Sequence, residues 1–392
     1  MLLALLPLLA AAAAAPQQDD PGELHLQAAR LVALGKYAEA EPVLTQLLGQ
    51  QEKRLGTDAP GLTGTIEALA SVYRSEGRDA DAEKVYQRSI GIKEKTGGPQ
   101  NYELIPPLKA LAGIYSGMGP ARNSDAERAY LRIVSVRQAN RGMDDLDLAN
   151  DCAALAAFYL DRKRYAVAEP NLRRAIVIIE KRLGPGDPSL VPVLDSIAAL
   201  YVNTKDYASA ESPLRHAISI QESVYGPNNY NVATYLDSLA MVFYLSRRYT
   251  EAEPLYKRSL AIWESKLGLD APQLATTLDN LAVVYASQEK FALAEPLYQR
   301  SLALREKDTV LSMNNLALAL DGKGDNAGAE SLYKRAVPLA EKIPALPGAI
   351  NVGEAALLHR TLQNYANLLR KMGRDGEAKK LEARISNVRS NL

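Results

Sequence analysis

Three aspartates, Asp195, Asp237 and Asp279, stand 42 residues apart, each followed by a hydroxyl or amide side chain: Ser196, Ser238 and Asn280. Asn314 and Asn315 take the same place 35 residues further on. Carboxylates in this arrangement could do acid/base work if an occluded pocket paired them, or hold Lys and Arg side chains if they were spread along an open surface. Other chemistry is poorly supplied. His25, His216 and His359 are more than 140 residues apart, and Cys152 is the only cysteine, which excludes an intramolecular disulfide and a cysteine-based zinc site. Gly322-Lys323-Gly324-Asp325 lacks the preceding strand that a phosphate-binding loop requires, and no H-E-x-x-H or G-x-S-x-G element occurs. No cofactor is implied.

The elements that would position these residues follow from length and period. A chain of 392 residues is too long for one small module, and its 46 Lys plus Arg balance 46 Asp plus Glu. With no net field, and no recurring cation on one helix face, nucleic-acid binding is not expected. The tract Lys36-Tyr37-Ala38-Glu39-Ala40-Glu41-Pro42 returns at residues 164–170, 248–254 and 290–296. Its Glu falls at Glu41, Glu83, Glu127, Glu169, Glu211, Glu253, Glu295 and Glu330, at intervals of 42, 44, 42, 42, 42, 42 and 35 residues. Upstream of each tract lies a helical L-x-x-L-A-x-x-Y pattern, as at Leu278, Leu281, Ala282 and Tyr285.

Each unit therefore reads as two antiparallel helices. The Glu and Pro of the tract are expected in the first turn or so of the second helix, where Pro is tolerated and the positive helix end favours a carboxylate. Gly tracts such as Leu183-Gly184-Pro185 and Leu267-Gly268-Leu269 end the unit. Two positions are Ala in all nine units, for example Ala240 and Ala252, and should mark the closest helix contacts. Cys152 occupies a large-apolar position, equivalent to Leu194 and Leu236, so a buried inert thiol is expected. His216, beside Arg215, reads as a surface residue. The third unit departs from the pattern with an insertion around Gly119-Pro120-Ala121 and Asn123 in place of the turn aromatic. A unit from Asp308 lacks the usual loop, and Ile343–Gly348 is a Pro-Gly stretch.

These residues resemble a tetratricopeptide-repeat array, in the longer 42-residue form found in kinesin light chains and many bacterial proteins. Family landmarks are met by Leu278, Leu281, Ala282, Tyr285, Phe291, Ala294, Tyr298 and Ser301. The resemblance implies an all-α fold, a right-handed α-solenoid of antiparallel helix pairs over residues 23–389, with the last pair, about 354–389, as a polar cap. It also implies that the helix-one arc beside the core positions lines the concave surface. That arc holds Asp195, Asp237, Met241, Tyr244, Asp279, Val283, Asn314 and Leu318, with Ser196, Ser238, Asn280 and Asn315 alongside. Its carboxylates are expected to be unpaired, hydrated and of near-normal acidity. The basic pairs Arg173-Arg174, Lys257-Arg258 and Lys334-Arg335 are expected on the convex solvent face.

The function expected is a non-enzymatic scaffold that holds an extended, partly apolar protein or peptide segment carrying basic residues. An enzyme with its active site in the groove, and an architectural solenoid that self-associates, are the alternatives. Residues 1–15 are almost entirely Leu and Ala, too short an apolar run to span a bilayer, and Ala12–Ala15 offers an A-x-A cleavage site. They resemble a secretory signal peptide, although no Lys or Arg follows Met1. Residues 16–22 read as a short polar linker. Export to the periplasm or medium, without membrane insertion after processing, is the expectation.

Overall fold

The computed structural model describes residues 20–269, 271–304, 310–342 and 352–390. Residues 1–15, Asp308 and Ile343–Gly348 lie outside these, so the expectations placed on them concern undescribed segments. The chain is 85% helix, without a strand among the described residues. It divides into two compact units, Met1–Arg182 and Leu183–Leu392.

The first unit comprises α1 (Pro21–Ala33), α2 (Tyr37–Leu55), α3 (Thr63–Ser75), α4 (Asp79–Gly97), α5 (Ile105–Gly117), α6 (Asn123–Arg141), α7 (Leu146–Asp161) and α8 (Tyr165–Leu183). Within it α1 packs on α2, α3 on α4 and α5 on α6, and each second helix also packs on the next first helix up to α7. The first helix starts at Pro21, inside the stretch expected as linker, because Asp20 caps it by accepting from the Glu23 amide at 3.2 Å.

The second unit holds α9 (Val191–Asn203), α10 (Tyr207–Tyr225), α11 (Tyr230–Leu245), α12 (Tyr249–Leu267), α13 (Leu274–Ser287), α14 (Phe291–Leu304), α15 (Val310–Lys323), α16 (Asn326–Lys342), α17 (Val352–Lys371) and α18 (Asp375–Ser390). Its pairs are α9 with α10, α11 with α12, α13 with α14, α15 with α16 and α17 with α18, each joined through its second helix to the pair that follows.

The recurring alanines all lie in the buried core of this packing. None of the eighteen is more than 2% exposed. A methyl at both positions admits a near approach, and Leu44, Leu69 and Val72 in the first unit, or Leu236, Leu239 and Tyr256 in the second, fill the remaining space. Cys152 is fully buried, and burial pushes its thiol pKa up, so it serves as a small apolar core residue.

The helices stop where expected: Gly184 and Gly268 adopt φ of 93° and 86°, a region that costs glycine little. Within the pairs, the turn residue is also left-handed. It is Gly77 in the second repeat, but Lys163, Lys205, Arg247 and Glu289 take the same conformation in later repeats, with φ between 56° and 61°.

The proline of the tract requires a correction. Pro42 and Pro254 are the sixth residues of α2 and α12, beyond the free amides of the first turn. Each deprives the carbonyl four residues back of its helical donor. The loss is tolerated because the residue there, Ala38 in α2, is exposed and water can take the donor's place. The inserted segment of the third unit forms a short 3-10 turn at Pro120–Arg122, and Asn123, in place of an aromatic, accepts from Arg162 Nε at 2.6 Å.

Candidate functional site

The residues expected along the arc lie on α9, α11, α13 and α15, all in the second unit. Helical phase places their side chains beside those that enter the core. Between α9 and α11 the surface opens into a cavity of about 370 Å3. Asp195, Ala199 and Val202 of α9 form one wall, Asp237, Ser238 and Met241 of α11 the other, with Leu214 of α10 and Asn280 of α13 also in the lining. The structure thus brings together Asp195, Asp237, Ser238, Met241 and Asn280. Ser196, Tyr244, Asp279, Val283, Asn314, Asn315 and Leu318 do not line this cavity.

The carboxylates are not the uniform, hydrated ladder that the sequence suggests. Asp195 keeps an exposed edge but has no hydrogen bond or ion pair among the described residues, and crowding by protein atoms raises its pKa. Asp237 is half-buried: its Oδ2 accepts from Thr277 Oγ1 at 2.8 Å and from Trp263 Nε1 at 3.4 Å, while Oδ1 has no partner among the described residues. Burial raises its pKa, opposed by the donors Ser259, Thr277 and Trp263. Asp279 is only 8% exposed, and its Oδ2 accepts from Ser312 Oγ at 3.3 Å. Asn314 is fully buried, and its Oδ1 accepts from Asn364 Nδ2 at 3.0 Å.

Asp237, Asp279 and Asn314 therefore tie one repeat to the next, and the expectation of free, hydrated carboxylates fails for Asp237 and Asp279. The cause lies in residues facing each aspartate from the following repeat, which a pattern confined to one helix does not reveal. The hydroxyls of Ser196 and Ser238 bond back to the Pro192 and Thr234 carbonyls of their own helices, at 2.8 and 3.1 Å. Tyr244, Val283 and Asn315 are half-buried and Leu318 is exposed, which leaves apolar and amide surface on the arc.

The equivalent phase in the first unit is closed by ion pairs. Lys93 Nζ meets Glu67 Oε1 at 2.6 Å. Arg137, 4% exposed, binds Asp151, donates to Asp147 Oδ2 at 2.8 Å and to the Tyr102 hydroxyl at 2.9 Å, while Lys109 reaches Asp151 from the other side at 2.7 Å. This cluster is absent from the sequence reading. The signal for it is the fixed phase that Lys93 and Arg137 share with Gln221 and Trp263 of the second unit. No group of metal-ligating side chains occurs among the described residues, and no described helix is long and apolar enough to cross a membrane.

The basic pairs are exposed but engaged. Lys257 Nζ pairs with Glu253 at 2.7 Å, Arg258 with Glu222 at 2.5 Å, Arg173 with Glu169 at 2.8 Å and Lys334 with Glu330 at 2.8 Å. Arg258 also donates to the Pro227 carbonyl at 3.1 Å, so it braces two repeats as well as carrying charge. His216 is half-buried, with Nε2 at 2.6 Å from the Pro185 carbonyl.

Comparison with known proteins bears on the fold. Family profiles described as tetratricopeptide repeat match residues 65–100, 148–223, 194–262, 231–307 and 280–347. No curated protein matches the sequence. Among solved structures, the apo form of RapI is similar at 14% identity and a TM-score of 0.55, covering 95% of this chain and 98% of its own. BtubC (BKLC) from P. vanneervenii is 21% identical over 62% of this chain and 95% of its own, with a TM-score of 0.47. A putative kinesin light chain repeat protein from Podospora anserina is 18% identical over 52% of this chain and 97% of its own, with a TM-score of 0.45. The repeat class supports a protein-interaction scaffold in general terms. The profile matches span more than half of the chain, and the chain belongs to the tetratricopeptide-repeat family.

Proposed function

We propose that this protein is a non-enzymatic scaffold that holds an extended protein or peptide segment, partly apolar and carrying Lys or Arg, along the arc of α9, α11, α13 and α15. The observation that carries this reading is the cavity between α9 and α11, where Asp195 and Asp237 stand over Val202, Leu214 and Met241. Charge and apolar contact occur together there, and binding by a preformed surface confines the ordering cost mainly to the ligand. An open cavity of this kind does not resemble the occluded carboxylate pair that hydrolysis requires.

An array of octapeptides of graded Lys and Arg content, probed with the full chain, tests the proposal. Retention should rise with basic content and fall when Asp195→Asn and Asp237→Asn are combined. Retention indifferent to charge would overturn it. We also propose export, on the Leu- and Ala-rich residues 1–15. Protein taken from its native cell should begin between Ala13 and Gln17, and an intact Met1 there would refute export.

A further inference from the structure

The cavity between α9 and α11 lies where the repeat of α9 and α10 departs from the three that follow it. Four residues after the invariant alanine of the second helix, the three following repeats carry Tyr256, Tyr298 and Tyr333, whereas α10 carries Leu214. Tyr256 is 1% exposed, its hydroxyl has no hydrogen-bond partner among the described residues, and its pKa is raised by burial and by the charge of Asp237, the aspartate of its own repeat. Tyr298 stands in the same relation to Asp279. In the repeats of Tyr256 and Tyr298 a buried phenol thus stands near the aspartate. Leu214 is shorter and has no polar end, and it lines the cavity that Asp195 borders.

Three features distinguish this repeat from the next. Asp195 has no hydrogen-bond partner among the described residues, whereas Asp237 has Thr277 and Trp263. The residue in the phase of Trp263 is Gln221, 8% exposed, and its side-chain oxygen has no partner. No Lys, Arg or His is among the residues that line the cavity. The Asp195 carboxylate therefore borders an apolar floor with no side chain donating to it among the described residues.

We infer that this cavity is the anchor subsite for one long cationic side chain, Lys or Arg, of the bound segment. Its methylene stem lies against Leu214, Val202 and Met241, and its charged head reaches Asp195 and Asp237. Stem and head both match the lining, which neither an acidic nor a purely apolar side chain would do. The inference rests on the proposed function and sharpens it: a preference spread along the arc becomes a requirement at one position.

The test measures fluorescence anisotropy of labelled Ala/Leu octapeptides with a central Lys, Arg, norleucine or Glu against the full chain. Lys and Arg peptides should bind about tenfold or more tightly than the norleucine peptide, and the Glu peptide least. Leu214→Tyr, which restores the side chain of the following repeats, should bring the Lys and Arg peptides down to the norleucine level. Asp195→Asn should do the same without filling the cavity, so the inference remains testable if Leu214→Tyr fails to fold. A cation preference that survives both substitutions would overturn the subsite and leave the wider reading standing. If no peptide in the series binds, both fall.

Discussion

The guanidinium of Arg122 grips the carboxylate of Glu83 in the preceding repeat at two points, 2.7 and 3.0 Å. The hydroxyl of Tyr115 donates to the same carboxylate at 3.0 Å, and the guanidinium lies 4.4 Å from the centre of the Tyr115 ring. This arrangement recurs: Arg78 holds Glu41 at 2.8 Å, Arg164 holds Glu127 at 2.6 Å, Arg248 holds Glu211 at 2.7 Å and Arg374 holds Glu330 at 2.8 Å. The Glu of the repeated tract is thus a clamp between consecutive repeats, a more specific role than compensation of a helix end.

The clamp implies a pH dependence of stability. Hydrogen bonds from Arg122 hold the Glu83 carboxyl below the usual value of 4.5, burial acts in the opposite sense, and Tyr115 adds to the lowering. Because the folded-state pKa is the lower one, the stabilisation is present above pH 4.5 and is lost as the pH falls through the folded value. Glu83→Gln should cost about 1 kcal/mol at neutral pH, since both partners retain solvent contact. Chemical melts at several pH values should show a shallower acid slope for the variant. An unchanged slope would mean that the clamp does not differ from its unfolded-state counterpart.

Ala240 and Ala252 are both fully buried at the contact between α11 and α12. Replacing either by Leu adds three carbons where no space exists and should cost about 1–3 kcal/mol. Urea melts of each variant check this, and neutrality at both positions would remove those alanines from the close contact.

The fold was legible because recurrence at fixed phase averages over local noise: Ala240 and Ala252 declare their burial when eight other units repeat it. The site was legible only in part. The phase of Asp195, Asp237 and Met241 along their helices places them on one surface, and they do line one cavity. Whether a group is free depends on the repeat that follows. Asp279 meets Ser312 across the shortened interval and Asn314 meets Asn364 across the longer one after it, where the regular spacing no longer tells which residues face each other. The Glu clamp was hidden for the same reason: Arg122 and Glu83 are 39 residues apart, so no single-helix pattern pairs them.

Trp263, the only tryptophan, reports directly on Asp237 through its indole N–H. Burial raises the Asp237 pKa above the usual 3.8, so the proton is taken up at a higher pH than an exposed aspartate would require. Tryptophan emission of the folded protein should titrate in that interval, and Asp237→Asn should abolish the transition. Since the folded-state pKa is the raised one, the charged form is disfavoured by folding and any stabilisation is lost as the pH rises through it. Asp237→Asn should therefore be neutral or stabilising at pH 7, whereas a Lys at this position or at buried Asp279 would not leave stability unchanged. An emission that ignores pH in the wild type would separate Trp263 from the aspartate.

Gly322 on α15 offers a last test, of packing between neighbouring helices. A Cβ built there would stand 2.5 Å from the Phe291 ring tip of α14, closer than two carbons can approach. Gly to Ala inside a helix normally gains about 1 kcal/mol, while displacing a packed ring costs about 1–3 kcal/mol, so the clash should win. Gly322→Ala is expected to lower stability in the wild-type background. With Phe291→Leu, the obstacle shrinks and the same change should become stabilising, a coupling that a double-mutant cycle by urea denaturation measures. Additive effects would show that the Phe291 ring moves aside freely and does not hold α15 at this distance.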